Sequence, residues 1–176
     1  HDPSIFAQRR RRFFEQLGGA AAVIPAAALV VHHADCEWPF RQNSDFWYLT
    51  GFDEPEAVAL FLPHRPEGER YVLFVQPREA SAEVWNGFRW GTEGAVAEFG
   101  ADLAHPRSEL EQRLPDYLRG AEGIAFRVGK NPKVEPLPLG VLANTDPAIE
   151  VGAIILMDGV AVDPAEPTIG IRQPLQ

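Results

Sequence analysis

The chain has 176 residues, 45% of them hydrophobic and 23% charged, which is the composition of a globular domain able to bury a core. Its formal net charge of −9 argues against general affinity for nucleic acid or for an anionic membrane surface. The single cysteine, Cys36, excludes an internal disulfide framework and a cysteine-rich zinc site.

The N-terminal residues predict an amphipathic helix. Phe6, Phe13 and Leu17 fall on one face, and the helix is expected to stop at Gly18. The stretch QRRRR, residues 8–12, lies inside this pattern and is interpreted as a solvated face rather than a binding patch for nucleic acid.

The segments that follow predict an alternation of strands and helices. AAVIPAAALVV (21–31) is typical of a buried strand interrupted at Pro25, and the apolar run Ala20–Val31, a dozen residues long, is too short to span a membrane. Three short strands in a meander are predicted from DFWYLTG (45–51), AVALFLP (57–63) and RYVLFVQP (70–77). Further along, the patterns predict a short helix at 80–85, a helix interrupted by Pro115 at 108–120, and strands at 123–129 and 151–159.

Two polar stretches are dense enough to suggest a specific role. In RQNSD (41–45) we expect the polar groups to tie aromatic elements together, because buried polar atoms must be paired. In HHADCE (32–37) every side chain except Ala34 is a metal ligand by type. Neighbouring side chains on an extended segment point to opposite sides, however, and no second ligand group follows at zinc-site spacing.

A longer stretch around RQNSD carries a family resemblance. ADCEWPFRQNSDFWYLTGFDEPEAVALF, residues 34–61, resembles the signature of the N-terminal domain of the aminopeptidase P family, whose wider relatives are prolidase and creatinase. The likeness continues through YVLFV (71–75) and AEVWNGFRWG (82–91) and covers residues 1–127. It implies an α/β fold, a mixed β-sheet flanked by helices as in the creatinase N-terminal domain. Residues 128–176 are then a proline-rich tail with one or two strands that complete the sheet.

The resemblance also implies what the chain lacks. In this family, two Asp, one His and two Glu of a separate C-terminal domain hold a pair of metal ions, usually manganese, that hydrolyse X-Pro peptides. That ligand set is missing here, so no catalytic residue is assigned and the chain alone is expected to be inactive. Asp158 in VGAIILMDG resembles the first metal-binding aspartate, although a turn aspartate before Gly159 is the interpretation we favour.

Two residues match positions that, in the family, approach the substrate pocket of a neighbouring subunit. They are Asp35 and Trp85; the alternatives are a loop or helix-cap carboxylate for Asp35 and a core aromatic for Trp85. The resemblance thus implies a non-catalytic domain that self-associates as a dimer or higher oligomer and shapes the pocket for X-Pro peptides. A cytoplasmic location is expected, because no signal peptide or membrane-spanning segment is visible. A stand-alone module that binds a peptide or protein, or a small metal-dependent hydrolase built on residues 32–37, remains an alternative. Whether the chain is an excised domain or a natural short form is left open.

Overall fold

The computed structural model describes residues 3–29, 31–33, 36–37, 40–78, 87–126, 134, 136–137 and 154–156. The helices are α1 (Pro3–Leu17), α2 (Ser44–Thr50), α3 (Gly91–Ala97) and α4 (Leu110–Leu118), the last preceded by a 3-10 turn at Arg107–Glu109. The strands are β1 (Ala20–Pro25), β2 (Val31–His33), β3 (Cys36–Glu37), β4 (Val58–Phe61), β5 (Tyr71–Val75), β6 (Leu103–Pro106), β7 (Gly123–Phe126) and β8 (Ile154–Leu156).

The main sheet has six strands in the order β6-β5-β4-β1-β7-β8. β4 pairs antiparallel with β1 and with β5, whereas β1–β7, β5–β6 and β7–β8 are parallel. β2 and β3 form a separate antiparallel ribbon. The predicted α/β architecture, a mixed sheet flanked by helices, is therefore confirmed.

Apolar residues cover both faces of the sheet because the strand side chains alternate between two cores. On one face, Phe13 and Phe14 of α1 pack edge-on against Phe61, with ring centroids 5.2 and 5.8 Å apart. On the other face, α4 buries Leu110, Leu114 and Leu118 against strand residues such as Leu60 and Phe74. The predicted helix around Pro115 is present, since four of its nine residues face this core.

One of the predicted meander strands is wrong. Residues 44–50 form the helix α2, which buries Phe46, Leu49 and Thr50 at helical spacing. Gly51 ends the helix in the left-handed conformation, with φ of 68° and its N–H bonded to the Trp47 carbonyl. Helix α3 and strand β6 are additional elements that the sequence patterns did not predict.

The interpretation of residues 8–12 as a solvated face is also wrong for one residue. Arg10 is buried: its guanidinium lies 4.4 Å from the centre of the Tyr71 ring and donates to the Leu49 carbonyl at 3.2 Å. A planar guanidinium stacks well on an aromatic ring, which is why a charged residue fits inside this helix packing. Arg11 and Arg12 are exposed, as predicted.

The tail contributes the edge strand β8, which extends the sheet beyond β7 in parallel register. The expected boundary between the family-like domain (1–127) and the tail (128–176) remains a prediction.

Candidate functional site

A hydrogen-bonded cluster lies where β1 ends and α2 begins, with Gln42 at its centre. The Gln42 Oε1 accepts from the N–H groups of Ala27 (2.7 Å) and Asn43 (3.0 Å). Its Nε2 donates to the carbonyls of Phe52 (3.2 Å) and Glu54 (3.0 Å). Gln42 thereby joins three stretches of backbone through one amide group, as the sequence analysis predicted for residues 41–45. We call Gln42, Asn43 and Glu54 the Gln42 cluster.

Asn43 strengthens the same junction from the other side. Its Nδ2 donates to the Pro25 carbonyl at 3.2 Å, the last residue of β1. Because Ala27 and Gln42 are bonded, the chain segment between them begins and ends at the cluster.

The Glu54 side chain extends the cluster towards the residues just before α3. Glu54 is 8% exposed, and its Oε1 accepts the Trp90 N–H at 2.6 Å. Its Oε2 lies 4.0 Å from the Arg89 Nη1 and accepts no hydrogen bond from the described residues. Burial raises the pKa of the Glu54 carboxyl, while the Trp90 N–H and the Arg89 charge oppose that rise.

Aromatic rings surround the Trp90 position. The Trp90 ring contacts Phe88 edge-on at 5.1 Å and Phe99 at 5.3 Å, and Phe99 in turn contacts Phe52 at 4.8 Å. Phe88 is 58% exposed, and the Arg78 guanidinium lies 5.1 Å from its ring centre. The result is a row of rings that runs from the core to the surface.

The segment from Arg78 to Gly91, which contains Phe88 and Trp90, starts and ends at one place. Gly91 has φ of 65°, and a Cβ added there would lie 2.9 Å from the Arg78 Cβ and 3.2 Å from its backbone nitrogen. The backbone at Gly91 therefore runs against Arg78, and only glycine allows both this approach and this conformation.

The three residues proposed from the sequence, Asp35, Trp85 and Asp158, all lie outside the described residues. Asp35 belongs to the segment bounded by Ala27 and Gln42, and Trp85 belongs to the segment bounded by Arg78 and Gly91. The first segment begins and ends at the Gln42 cluster, and the second is tied to the cluster near its C-terminal end, through the hydrogen bond from the Trp90 N–H to Glu54.

A second polar group lies on the opposite face of the sheet, around Tyr117. The His64 Nε2 donates to the Tyr117 carbonyl at 3.0 Å, and the His105 Nε2 lies 2.7 Å from the Tyr117 hydroxyl. Burial lowers the pKa of both histidines. Within the part of the chain that the structure describes, no group of three or more His, Cys, Asp or Glu is placed to hold a metal ion.

Comparison with known proteins agrees with this fold. The family model described as "Aminopeptidase P, N-terminal domain" matches residues 6–125. The chain belongs to this family.

Among curated aminopeptidase P relatives, the chain is 42% identical over 97 residues to the Xaa-Pro aminopeptidase of Escherichia coli (strain K12), covering 55% of this chain and 22% of the relative. It is 38% identical over 84 residues to the Xaa-Pro aminopeptidase 3 of Homo sapiens, covering 46% of this chain and 17% of the relative. The chain thus spans about a fifth of the length of these relatives.

Solved structures extend the likeness to most of the chain. The aminopeptidase PepP of Pseudomonas aeruginosa superposes with a TM-score of 0.82 at 32% identity, over 90% of this chain and 37% of that one. A zinc-substituted Escherichia coli aminopeptidase P in complex with product gives 0.80 at 34% identity, over 89% and 37%. The helices among the described residues are all too short or too polar to cross a bilayer.

Proposed function

We propose that this chain is the non-catalytic N-terminal domain of a Xaa-Pro aminopeptidase-like metallopeptidase. It assembles with other copies, and it contributes Asp35 and Trp85 to the substrate pocket of a neighbouring subunit. The cytoplasmic location and the X-Pro peptide substrate belong to the same proposal. The relatives named above are Xaa-Pro aminopeptidases by description, and this chain spans only a fifth of their length.

The observation that carries the proposal is the convergence of two segments on one cluster. The segment from Ala27 to Gln42 contains Asp35, and the segment from Arg78 to Gly91 contains Trp85. Gln42 holds both ends of the first segment, and Glu54 holds the second through the Trp90 N–H. Fixed ends are what a domain needs in order to present two residues to another subunit, because loosely held side chains lose entropy on binding.

The chemistry of the two residues suits a peptide with a free N-terminus. A tryptophan ring offers an apolar surface that can pack on a proline ring, and a carboxylate attracts the ammonium group. Hydrolysis itself is assigned to the part of the longer relatives beyond this domain, where manganese would supply the Lewis acid. The described residues of this chain do not fit a metal ion, so no step is assigned to them.

The test uses a full-length relative that carries this domain. Replacing the residue aligned with Trp85 by alanine should lower kcat/KM for an X-Pro peptide by about tenfold, because an aromatic contact at an interface hot spot is worth about 1–3 kcal/mol. Metal content and circular dichroism should not change. Replacing the residue aligned with Asp35 by alanine should mainly affect the cleavage of longer substrates or the assembly of subunits.

The matched control is an alanine at the position aligned with Trp47, an aromatic of α2 whose ring packs edge-on against Phe6 of α1. It should leave kcat/KM unchanged. Loss of the fold in the Trp85-position variant would instead show that this tryptophan is a core aromatic, and the proposal would fail for that residue.

A further inference from the structure

Glu54 stands out among the buried polar side chains. It is the only buried carboxylate of the described residues, where the other buried polar or charged side chains belong to Arg10 and Thr50. Gln42 bonds to the Glu54 backbone carbonyl, so the junction at Gln42 does not need the carboxylate. The side chain instead reaches the backbone of Trp90, and Arg89 lies opposite its second oxygen.

We propose that Glu54 is a positioning residue whose ionised carboxylate holds the backbone at Trp90 and the Arg89 side chain, and that this hold weakens when the carboxylate takes up a proton. The Phe88–Trp90 ring pair, which sits on this backbone, then changes its average position with pH.

The strength of the hold depends on charge. An ionised carboxylate accepts a hydrogen bond roughly twice as strong as a neutral group does, and the attraction to Arg89 exists only for the charged form. The charged groups that act on Glu54 among the described residues are Arg89, which favours ionisation, and the neighbouring Asp53, which opposes it. Oε2 lacks a hydrogen-bond donor among these residues, so protonation there breaks no existing hydrogen bond.

Burial raises the pH at which the change occurs. Desolvation is the main reason why the pKa of Glu54 lies above its ordinary value of 4.5. Protonation of Glu54 therefore begins at a higher pH than for an exposed glutamate. Global stability and the local contact respond to pH in opposite directions. Because the carboxyl pKa is raised in the folded state, global stability is lost as pH rises through the folded pKa. The local contact at Trp90 weakens as pH falls through the same value. Global unfolding and local positioning can thus be measured separately.

The experiment follows the backbone amide of Trp90 by ¹⁵N–¹H NMR of the whole chain between about pH 4 and 8. The Trp90 amide proton should titrate with a midpoint above 4.5, moving to lower frequency as the carboxylate is neutralised. Glu54→Gln keeps an acceptor for the Trp90 N–H but has no charge. In this variant the Trp90 amide proton should keep, at every pH, the chemical shift of the acid form of the wild type. The Phe88 amide resonance should be shifted in the same direction.

The matched control is Asp53→Asn, which removes an exposed carboxylate next to Glu54. It should keep the Trp90 titration, with a slightly lower midpoint because a like charge is gone. A Trp90 amide that does not titrate in the wild-type chain, or one that still titrates in Glu54→Gln, would overturn the proposal. The wild-type titration is decisive even if the variant fails to fold.

A separate measurement tests the link to assembly, and only this link rests on the proposed function. If the ring pair contributes to self-association, the dimer dissociation constant should rise in Glu54→Gln to the value of the acidified wild type. A titrating Trp90 amide with a pH-independent dimer would overturn the link while supporting the positioning role. A chain that is monomeric at every pH would count against the proposed function instead.

Discussion

At the residue scale, Gln42 shows why one side-chain type is required at the cluster. Its side-chain amide carries one acceptor oxygen and two N–H donors, and the structure uses all three on backbone groups. Glutamate has the same shape but no donor. Asparagine has the same groups on a shorter stem.

Replacing Gln42 with glutamate should therefore destabilise the chain. The carbonyls of Phe52 and Glu54 would lose their donor and face a negative charge, and an unpaired buried polar group costs about 1–3 kcal/mol. The free energy of unfolding from urea denaturation should fall by this amount with an unchanged m-value. Gln112→Glu, the same change on the exposed surface of α4, is the control and should have little effect. Equal effects in the two variants would contradict the role of Gln42.

How far the site could be predicted also differs by residue. The density of polar residues at 41–45 predicts a hydrogen-bonding role for Gln42, because buried polar atoms must be paired. It does not identify the partners, since Ala27, Phe52 and Glu54 lie 10–15 residues away. Glu54 gives no such signal, since its partner is the backbone of Trp90, 36 residues away. Arg10 looks like its exposed neighbours Arg11 and Arg12, and only the position of Tyr71 in the folded sheet makes it buried.

At the element scale, α2 shows where pattern and propensity disagree. Its aromatic residues favour a strand, yet the buried positions Phe46, Leu49 and Thr50 have helical spacing, and Gly51 is placed as a C-cap. β6 was missed for a different reason. It is four half-buried residues ending in Pro106, and its strand character comes from pairing with β5 rather than from its own composition.

Helix α4 is held by two histidines, and this predicts an acid-sensitive stability. The His64 Nε2 donates to the Tyr117 carbonyl, while its Nδ1 is buried and has no partner among the described residues. Protonation would place a charge on that nitrogen, near Arg65. Burial lowers the pKa of His64 below 6.5, so its contribution is complete above pH 6.5 and is lost as pH falls through the folded value.

The measurement is the free energy of unfolding between about pH 7.5 and 5.5, compared between wild type and His64→Gln. Glutamine keeps a donor for the Tyr117 carbonyl but does not titrate, so the variant should lose less stability on acidification. His105, whose pKa burial also lowers, is retained in both proteins and contributes equally. An identical pH dependence in the two proteins would show that His64 is not the sensitive group.

At the scale of the whole molecule, both faces of the sheet are covered, yet several aromatic residues outside the sheet are exposed to solvent. The remaining question is what these exposed rings contact. Among the described residues, Phe40 is 37% exposed, Tyr48 is 49% exposed and Phe88 is 58% exposed. From the sequence, Trp38, Phe40, Phe88 and Trp90 lie in turn-like surroundings where some of them are expected to be exposed; Trp38 lies outside the described residues. The sequence could not show that Trp90 is half-buried between Phe88 and Phe99, because that arrangement depends on how α3 packs.

We expect the chain to form a dimer at micromolar concentration rather than a stable tetramer. Exposed aromatic rings favour interfaces because they bury a large area at little entropic cost, and closed symmetric pairs are the common outcome for identical chains. The net charge of −9 opposes tighter association, since like chains repel. Sedimentation velocity across a hundredfold dilution should show a monomer–dimer equilibrium.

Two variants locate the contact. Phe88→Ser should weaken the dimer because it removes the most exposed of these rings, which packs against Trp90. Tyr48→Ser removes a ring of similar exposure on the face where α1 meets α2, and it should leave the equilibrium unchanged. Weaker association in Tyr48→Ser alone would move the interface to that face. A single species at monomer mass throughout the dilution would remove the assembly role from this chain, and peptide binding by a stand-alone module would then account better for the exposed rings.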